Sequence, residues 1–222
     1  MPASTFAVPV GAASTTALVY RPEETARATF VLAHGAGAPQ THPWIVAMAK
    51  AISAHGLDVV TFNFLYAETK RRAPDRNDVL EATWRAVLDA VRARPDLAAK
   101  RVFIGGKSMG GRIATQLAAT PAAGDLAGLV LLGYPLHPPG KPGQLRAAHL
   151  PRVRAPMLFV QGSRDAFGTP DELAPIVARL SAGTRLYVVE GGDHSLSLPK
   201  SRGESPDQVR ARVADEIATF TA

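Results

Sequence analysis

Cysteine is missing from all 222 residues. Without thiols there can be no disulfide framework and no thiolate metal site, and the expected compartment is the cytoplasm. No run of about 18 consecutive apolar residues occurs, so no membrane-spanning helix is expected. The opening Met1-Pro2-Ala3-Ser4-Thr5 has no basic segment leading into an apolar core, so a secretory leader is not expected either. No Pro/Gly/Ser-rich linker, low-complexity tract or internal repeat divides the chain, which is read as one domain over residues 1–222. The formal charge of +6 would permit nucleic-acid contact. The positives, however, are mostly arginines scattered along an Ala- and Arg-rich chain, and composition bias accounts for them. No nucleic-acid partner is expected, and the sequence does not fix the oligomeric state.

What the chain does contain is a regular alternation. Strand-like runs fall at 5–10, 16–20, 28–33, 57–63, 101–105, 127–132, 156–161 and 184–189. Helical spacing follows several of them: Ile45, Met48 and Ile52; then Val79, Leu80, Thr83, Trp84, Val87, Leu88 and Val91; finally Val209, Val213 and Ile217, with Pro206 near the start. Two early strands without a helix between them, then repeating β-α units, predict an α/β protein with an eight-stranded, mostly parallel sheet flanked by helices. Between the sixth and seventh strands only residues 133–154 are available. That is too little for a helical cap, so an open site without a substantial lid is expected.

The densest signal is Val102-Phe-Ile-Gly-Gly-Lys-Ser-Met-Gly-Gly-Arg112. An apolar run meets Gly106-Lys107-Ser108-Met109-Gly110, a G-x-S-x-G pattern, and a helical stretch is expected from Gly111 to Ala119. Strand, sharp turn and helix are the context of a nucleophile elbow, with Ser108 at the turn. Side chains at 106 and 110 would collide with neighbouring backbone, which is why glycine stands there.

A nucleophilic serine in this context needs an acid and a histidine further along the chain, in that order. Asp165 follows the apolar run Pro156-Met-Leu-Phe-Val-Gln-Gly162 and sits past a strand end, at the edge where site groups of open α/β sheets gather. Asp171 is a rival, but Thr169-Pro170-Asp171-Glu172 reads as a helix start. Asp125 precedes a strand and belongs at the opposite edge. Of six histidines, only His194, in Gly191-Gly192-Asp193-His194, lies after Asp165. His34, His42, His55, His137 and His149 are read as ordinary residues in this respect. Two backbone N–H groups should form an oxyanion hole: that of Met109, after the nucleophile, and that of Ala36, with Gly37 as the alternate, in the loop His34-Gly35-Ala36-Gly37.

Several strings resemble a known family. His34-Gly-Ala-Gly37, Phe62-Asn63-Phe64, Arg71-Arg-Ala-Pro-Asp75, Gly105-Gly-Lys-Ser-Met-Gly-Gly-Arg112, Gly133-Tyr-Pro-Leu-His-Pro-Pro-Gly140, Phe159-Val-Gln-Gly-Ser-Arg-Asp165 and Gly191-Gly-Asp-His194 are similar to the hydrolase-like family of testis-expressed protein 30 and the third subunit of the NSL chromatin complex. Its bacterial members are of the dienelactone-hydrolase type. The resemblance covers about residues 30 to 200, and implies the α/β-hydrolase fold and triad roles for Ser108, Asp165 and His194. Leu65 stands where relatives often carry proline. The family does not supply a substrate.

The expected chemistry is hydrolysis of small acyl esters or thioesters through an acyl-enzyme, with a small acyl compound as partner and no cofactor or metal. A peptidase or acyltransferase on the same triad, or an interaction module that retains the fold, are the alternatives. Gly37, Lys107, Tyr134 and His137 are expected to touch substrate. Positive residues on the loops at the carboxyl edge are expected to make the mouth electropositive: Lys70, Arg71, Arg72, Arg76, Lys107, Arg112, Lys200 and Arg202, extended by Lys141 and Arg146. Lys107 could instead pair with Asp193, and Arg71 or Arg72 with Glu68 or Asp75.

Overall fold

The computed structural model describes residue 2, residues 4–97 and residues 101–222. Strands β1 (Ser4–Val10) and β2 (Ala13–Tyr20) form a hairpin, and β3 (Ala28–Ala33) starts the alternating part. Then come α1 (Pro43–Ser53), β4 (Leu57–Phe62), the single-turn α2 (Leu65–Glu68) and α3 (Asn77–Arg92). β5 (Val102–Lys107) leads into α4 (Met109–Ala118), followed by β6 (Gly128–Leu132) and β7 (Met157–Gly162). α5 (Pro170–Val177), β8 (Arg185–Val189) and α6 (Pro206–Phe220) complete the chain.

All eight strands join one sheet in the order β1-β2-β4-β3-β5-β6-β7-β8. The β1/β2 and β2/β4 pairs are antiparallel, and every other pair is parallel. Parallel strands need crossovers, and the crossover helices cover both faces. This is why β3, β4, β6 and β7 are buried at every residue and are mostly apolar. Successive side chains go to opposite faces. Val31, Ala33, Val102 and Ile104 pack with Trp84, Leu88 and Ile113 of α3 and α4. Phe30, Leu32 and Phe103 join Ile45 and Ile52 of α1 and Val213 and Ile217 of α6 on the other face.

Two expectations shift. Helix α4 begins at Met109, two residues before the Gly111 start read from the sequence. Gly110 and Gly111 look like loop residues, but they are glycine because the first turn lies against other backbone: a Cβ at Gly110 would come within 2.5 Å of the His34 carbonyl oxygen. Val79 is only half-buried at the rim of the α3 face. Among the described residues no helix is long and apolar enough to cross a membrane. Residues 133–154 hold one 3-10 turn, Leu150–Arg152, and no other helix. Among the described residues no helical cap covers the carboxyl edge of the sheet.

Candidate active site

β5 ends at Lys107 and α4 begins at Met109, leaving Ser108 between them at φ +49° and ψ −115°. A side-chain-bearing residue in so sparsely populated a conformation costs on the order of 1–3 kcal/mol and persists only where its surroundings impose it. Here the surroundings do so on both sides. The Ser108 N–H donates to the Leu132 carbonyl of β6 at 3.0 Å, and its carbonyl accepts from the Arg112 N–H at 3.0 Å. A Cβ at Gly106 would strike the Ala33 carbonyl, so the turn can lie flush on β3. The hydroxyl is lifted clear of the sheet as a result.

β7 ends at Gly162 and delivers Asp165; β8 ends at Val189 and delivers His194. Between serine and carboxylate the contacts are continuous. His194 Nε2 is 2.8 Å from Ser108 Oγ, while Nδ1 is 2.8 Å from Asp165 Oδ2 and 3.0 Å from Oδ1. An ionised carboxylate only accepts, so Nδ1 carries the proton and Nε2 presents its lone pair to the serine hydroxyl. Asp165 is buried. Its Oδ1 accepts from the Phe167 N–H at 2.8 Å and its Oδ2 from Gln161 Nε2 at 2.8 Å. The rival Asp171 lies exposed in the first turn of α5, which is closed by a capping box between Thr169 and Glu172.

The His194 loop is tied down from several directions. Asp193 Oδ1 accepts from the Ser195 and Ser197 N–H groups. Trp44 Nε1 donates to the Ser195 carbonyl at 3.0 Å, and Lys107 Nζ donates to the His194 carbonyl. Lys107 therefore lines the site but does not pair with Asp193. Burial pushes its ammonium down to about 8, against the opposing pull of Asp165 and Asp193. On the imidazole itself lies the Phe167 ring, with centroids 4.2 Å apart and planes 30° apart.

The loop after β3 passes directly beside the nucleophile: a Cβ at Gly35 would lie 3.3 Å from Lys107 Cγ and 3.6 Å from Ser108 Cβ. Ala36 and Met109 line the same cleft as Ser108. Neither N–H has a backbone acceptor among the described residues, so both can serve an external oxyanion. The helix α4 N-terminus adds its partial positive charge there. His34 sets the loop's course from inside. Its Nε2 accepts from the Phe64 N–H at 3.1 Å, so its Nδ1 carries the proton and meets the Gly35 carbonyl at 2.8 Å. Burial lowers its pKa to about 4.

These groups open into a cleft of about 670 Å³. Three residues expected to touch substrate stand away from it. Tyr134 is 1% exposed; Pro135 occupies the rim, and the phenol turns inward against Phe159, its hydroxyl donating to the Arg146 carbonyl at 2.7 Å. His137 is also buried, between the Pro138 carbonyl and Glu172. Gly37 faces a neighbouring groove with Asn63, Tyr66 and Arg71. The charged mouth shrinks as well. Of the ten cations expected there, only Lys107, Arg112 and Arg146 line the cleft. Arg71 pairs with Asp75 at 2.5 Å, and Lys70 and Arg72 border the neighbouring groove.

Sequence reasoning missed Gln161, Phe167 and Trp44. Gln161 had a signal: a lone amide near the end of an otherwise apolar, fully buried strand needs polar partners. Phe167 and Trp44 had none, since aromatic residues in a loop and at a helix start are unremarkable.

The sheet order, the elbow and the three loops at one edge are those of an α/β hydrolase. The chain belongs to the family described as "Alpha/beta hydrolase domain", whose model matches residues 26–222. Its fold is similar to that of an alpha-beta serine hydrolase homologue from Coxiella burnetii, at TM-score 0.77 and 19% identity, over 100% of this chain and 99% of that one. It is also similar to dienelactone hydrolase from Anabaena variabilis, at TM-score 0.74 and 20% identity, over 98% and 95%. A serine hydrolase without lid from Xanthomonas campestris matches at TM-score 0.68 and 21% identity, over 95% and 94%.

Proposed function

We propose that the protein is a serine hydrolase of carboxylesterase type, cleaving short acyl esters or thioesters. The observation that carries this reading is the unbroken chain of contacts from Ser108 Oγ through His194 to a buried Asp165, built on a strained elbow. A scaffold has no use for a strained serine whose hydroxyl points at a histidine lone pair.

In this reading Ser108 Oγ attacks the acyl carbonyl while His194 Nε2 takes its proton. Asp165 holds the imidazole in the required tautomer and stabilises the imidazolium. The Ala36 and Met109 N–H groups receive the developing oxyanion, each worth roughly 3 kcal/mol of barrier. His194 then returns the proton to the leaving alcohol or thiol, and water repeats the sequence to free the acid and Ser108. Trp44, Ile45, Leu80, Pro135 and Phe167 supply an apolar wall for a short chain. Among α/β hydrolases, the resemblance of the strings at 105–112 and 133–140 to the family of testis-expressed protein 30 supports a kinship with that family.

The test joins fluorophosphonate labelling with turnover of acyl esters and thioesters of graded length. Labelling of Ser108, and a maximum of kcat/KM at about two to six acyl carbons without interfacial activation, is expected from an uncapped cleft. An unlabelled Ser108, or no turnover of any ester or thioester, would overturn the hydrolase reading.

A further inference from the structure

Among the described residues, two arginines on the cleft wall form no ion pair. Arg112 stands one helical turn after Ser108, roughly 6 Å along the α4 axis. Arg112 lines the same cleft as Ser108. Its guanidinium reaches only two neutral amides, Asn77 Oδ1 at 3.4 Å and Gln116 Oε1 at 3.3 Å. Arg146 comes from the loop between β6 and β7, which packs on α4 through a 2.8 Å contact between Thr115 and His149. Its backbone is fixed at both ends: its N–H donates to the Leu136 carbonyl at 2.8 Å, and its carbonyl accepts from the Tyr134 hydroxyl at 2.7 Å. Its guanidinium has no hydrogen-bond or ion-pair partner among the described residues. The carboxylate that lines the cleft, Asp75, is already taken by Arg71 and the Tyr66 N–H. Glu81 attracts Arg112 without forming an ion pair and accepts from Asn77.

The two guanidinium groups also repel each other. Burial first, and then the charge of Arg146, depress the pKa of Arg112. Two half-buried like charges lining one cleft, with no ion-pair partner among the described residues, are unfavourable in the empty protein. An anion between them would relieve both, and the planar donor forks of arginine suit a carboxylate bidentately.

We propose that Arg112 and Arg146 form a carboxylate subsite, and that the substrate is a short ester or thioester carrying a carboxylate on the chain that lies along α4. This rests on the hydrolase reading above and specifies its substrate class. Lys107 is occupied by the His194 carbonyl and contributes only general positive potential. The fixed Arg146 backbone gives the buried Tyr134 its role: it holds the rim that carries this charge.

The experiment compares monoethyl glutarate with ethyl pentanoate, a pair in which a carboxylate replaces a methyl group. It measures the ratio of their kcat/KM values, and by calorimetry the binding of free glutarate and of inorganic phosphate. Wild type should favour the anionic ester. Arg112→Gln and Arg146→Gln should each lower the ratio by about 10- to 100-fold, the range of a lost charge-assisted hydrogen bond, chiefly through KM. Arg179→Gln, an exposed arginine away from the cleft, should leave the ratio alone, which separates a subsite from general steering. Arg146→Lys should recover only part of it. Glutarate should bind wild type and be lost in both Gln variants. A ratio near one in wild type, or one that neither Gln variant changes, overturns the subsite while Ser108-dependent turnover of ethyl pentanoate leaves the hydrolase standing. Glutarate binding through the two arginines without turnover of either ester supports the subsite and overturns the hydrolase. Phosphate binding that outcompetes glutarate overturns the assignment to a carboxylate.

Discussion

Gln161 Nε2 donates to Asp165 Oδ2 at 2.8 Å, so the carboxylate that faces His194 is gripped by the very strand that delivers it. The same amide is spent completely. Nε2 also donates to the Gly168 carbonyl at 2.7 Å, and Oε1 accepts from the Tyr134 N–H at 2.8 Å. One side chain thus fixes the acid, the loop after β7 and the loop after β6.

Gln161→Leu should leave the Tyr134 N–H and the Gly168 carbonyl buried without partners. A loss of about 2–4 kcal/mol in stability is expected, measured by urea unfolding. With Asp165 less well held, kcat should fall while KM changes little. An unchanged kcat would show that the Phe167 N–H suffices to place the carboxylate.

Ser108→Ala should lower kcat on a good ester by about 10⁴ to 10⁶. Ser108→Gly should be equally inactive yet more stable, by roughly 1 kcal/mol, because glycine relieves the backbone strain at φ +49°. Thermal unfolding of both variants checks this; a Gly variant less stable than the Ala variant would mean the conformation is not strained.

Asp165→Asn should cost about 10⁴ in kcat by favouring the wrong tautomer of His194. Asp171→Asn, at an exposed helix start, should stay within about twofold of wild type, as surface changes away from a site usually do. Equal losses would move the acid role away from Asp165.

His34 ties acid stability to the loop after β3. Its pKa falls from 6.5 to about 4 on burial, so between these values the unfolded chain binds a proton that the folded chain refuses. The contribution is full above pH 6.5 and is lost as the pH drops toward 4, an effect on the order of 3 kcal/mol. His149, also lowered to about 4, by burial and then by Arg112 and Arg152, acts in the same direction. Urea unfolding at several pH values should show a shallower dependence in His34→Gln than in wild type. Identical slopes would show that His34 does not titrate differently on folding.

The parts of the site that show in the sequence are those under backbone constraint. Gly106 and Gly110 are glycine because Ala33 and His34 leave no room for a Cβ; chain order selects His194, and a place just past a strand end selects Asp165 over Asp171. The parts that do not show depend on which way a side chain turns. Tyr134 sits in a motif at the site yet points inward, because Pro135 takes the rim. Phe167 lies against His194 only because the Asp165 carboxylate bends its loop back by accepting the Phe167 N–H. The charged loops were over-read for a related reason: position at the sheet edge puts a residue near the site, but only Lys107, Arg112 and Arg146 extend onto the cleft wall.

The uncapped cleft bears on the second half of the proposed reaction. An acyl group held on Ser108 would sit under open solvent, since no helix from residues 133–154 covers it. Any alcohol, thiol or amine that accepts the acyl group must then compete with bulk water at its full concentration. Enzymes that transfer acyl groups rather than hydrolyse them need water kept out of the site. This architecture leaves the outcome to mass action, and mass action favours the free acid.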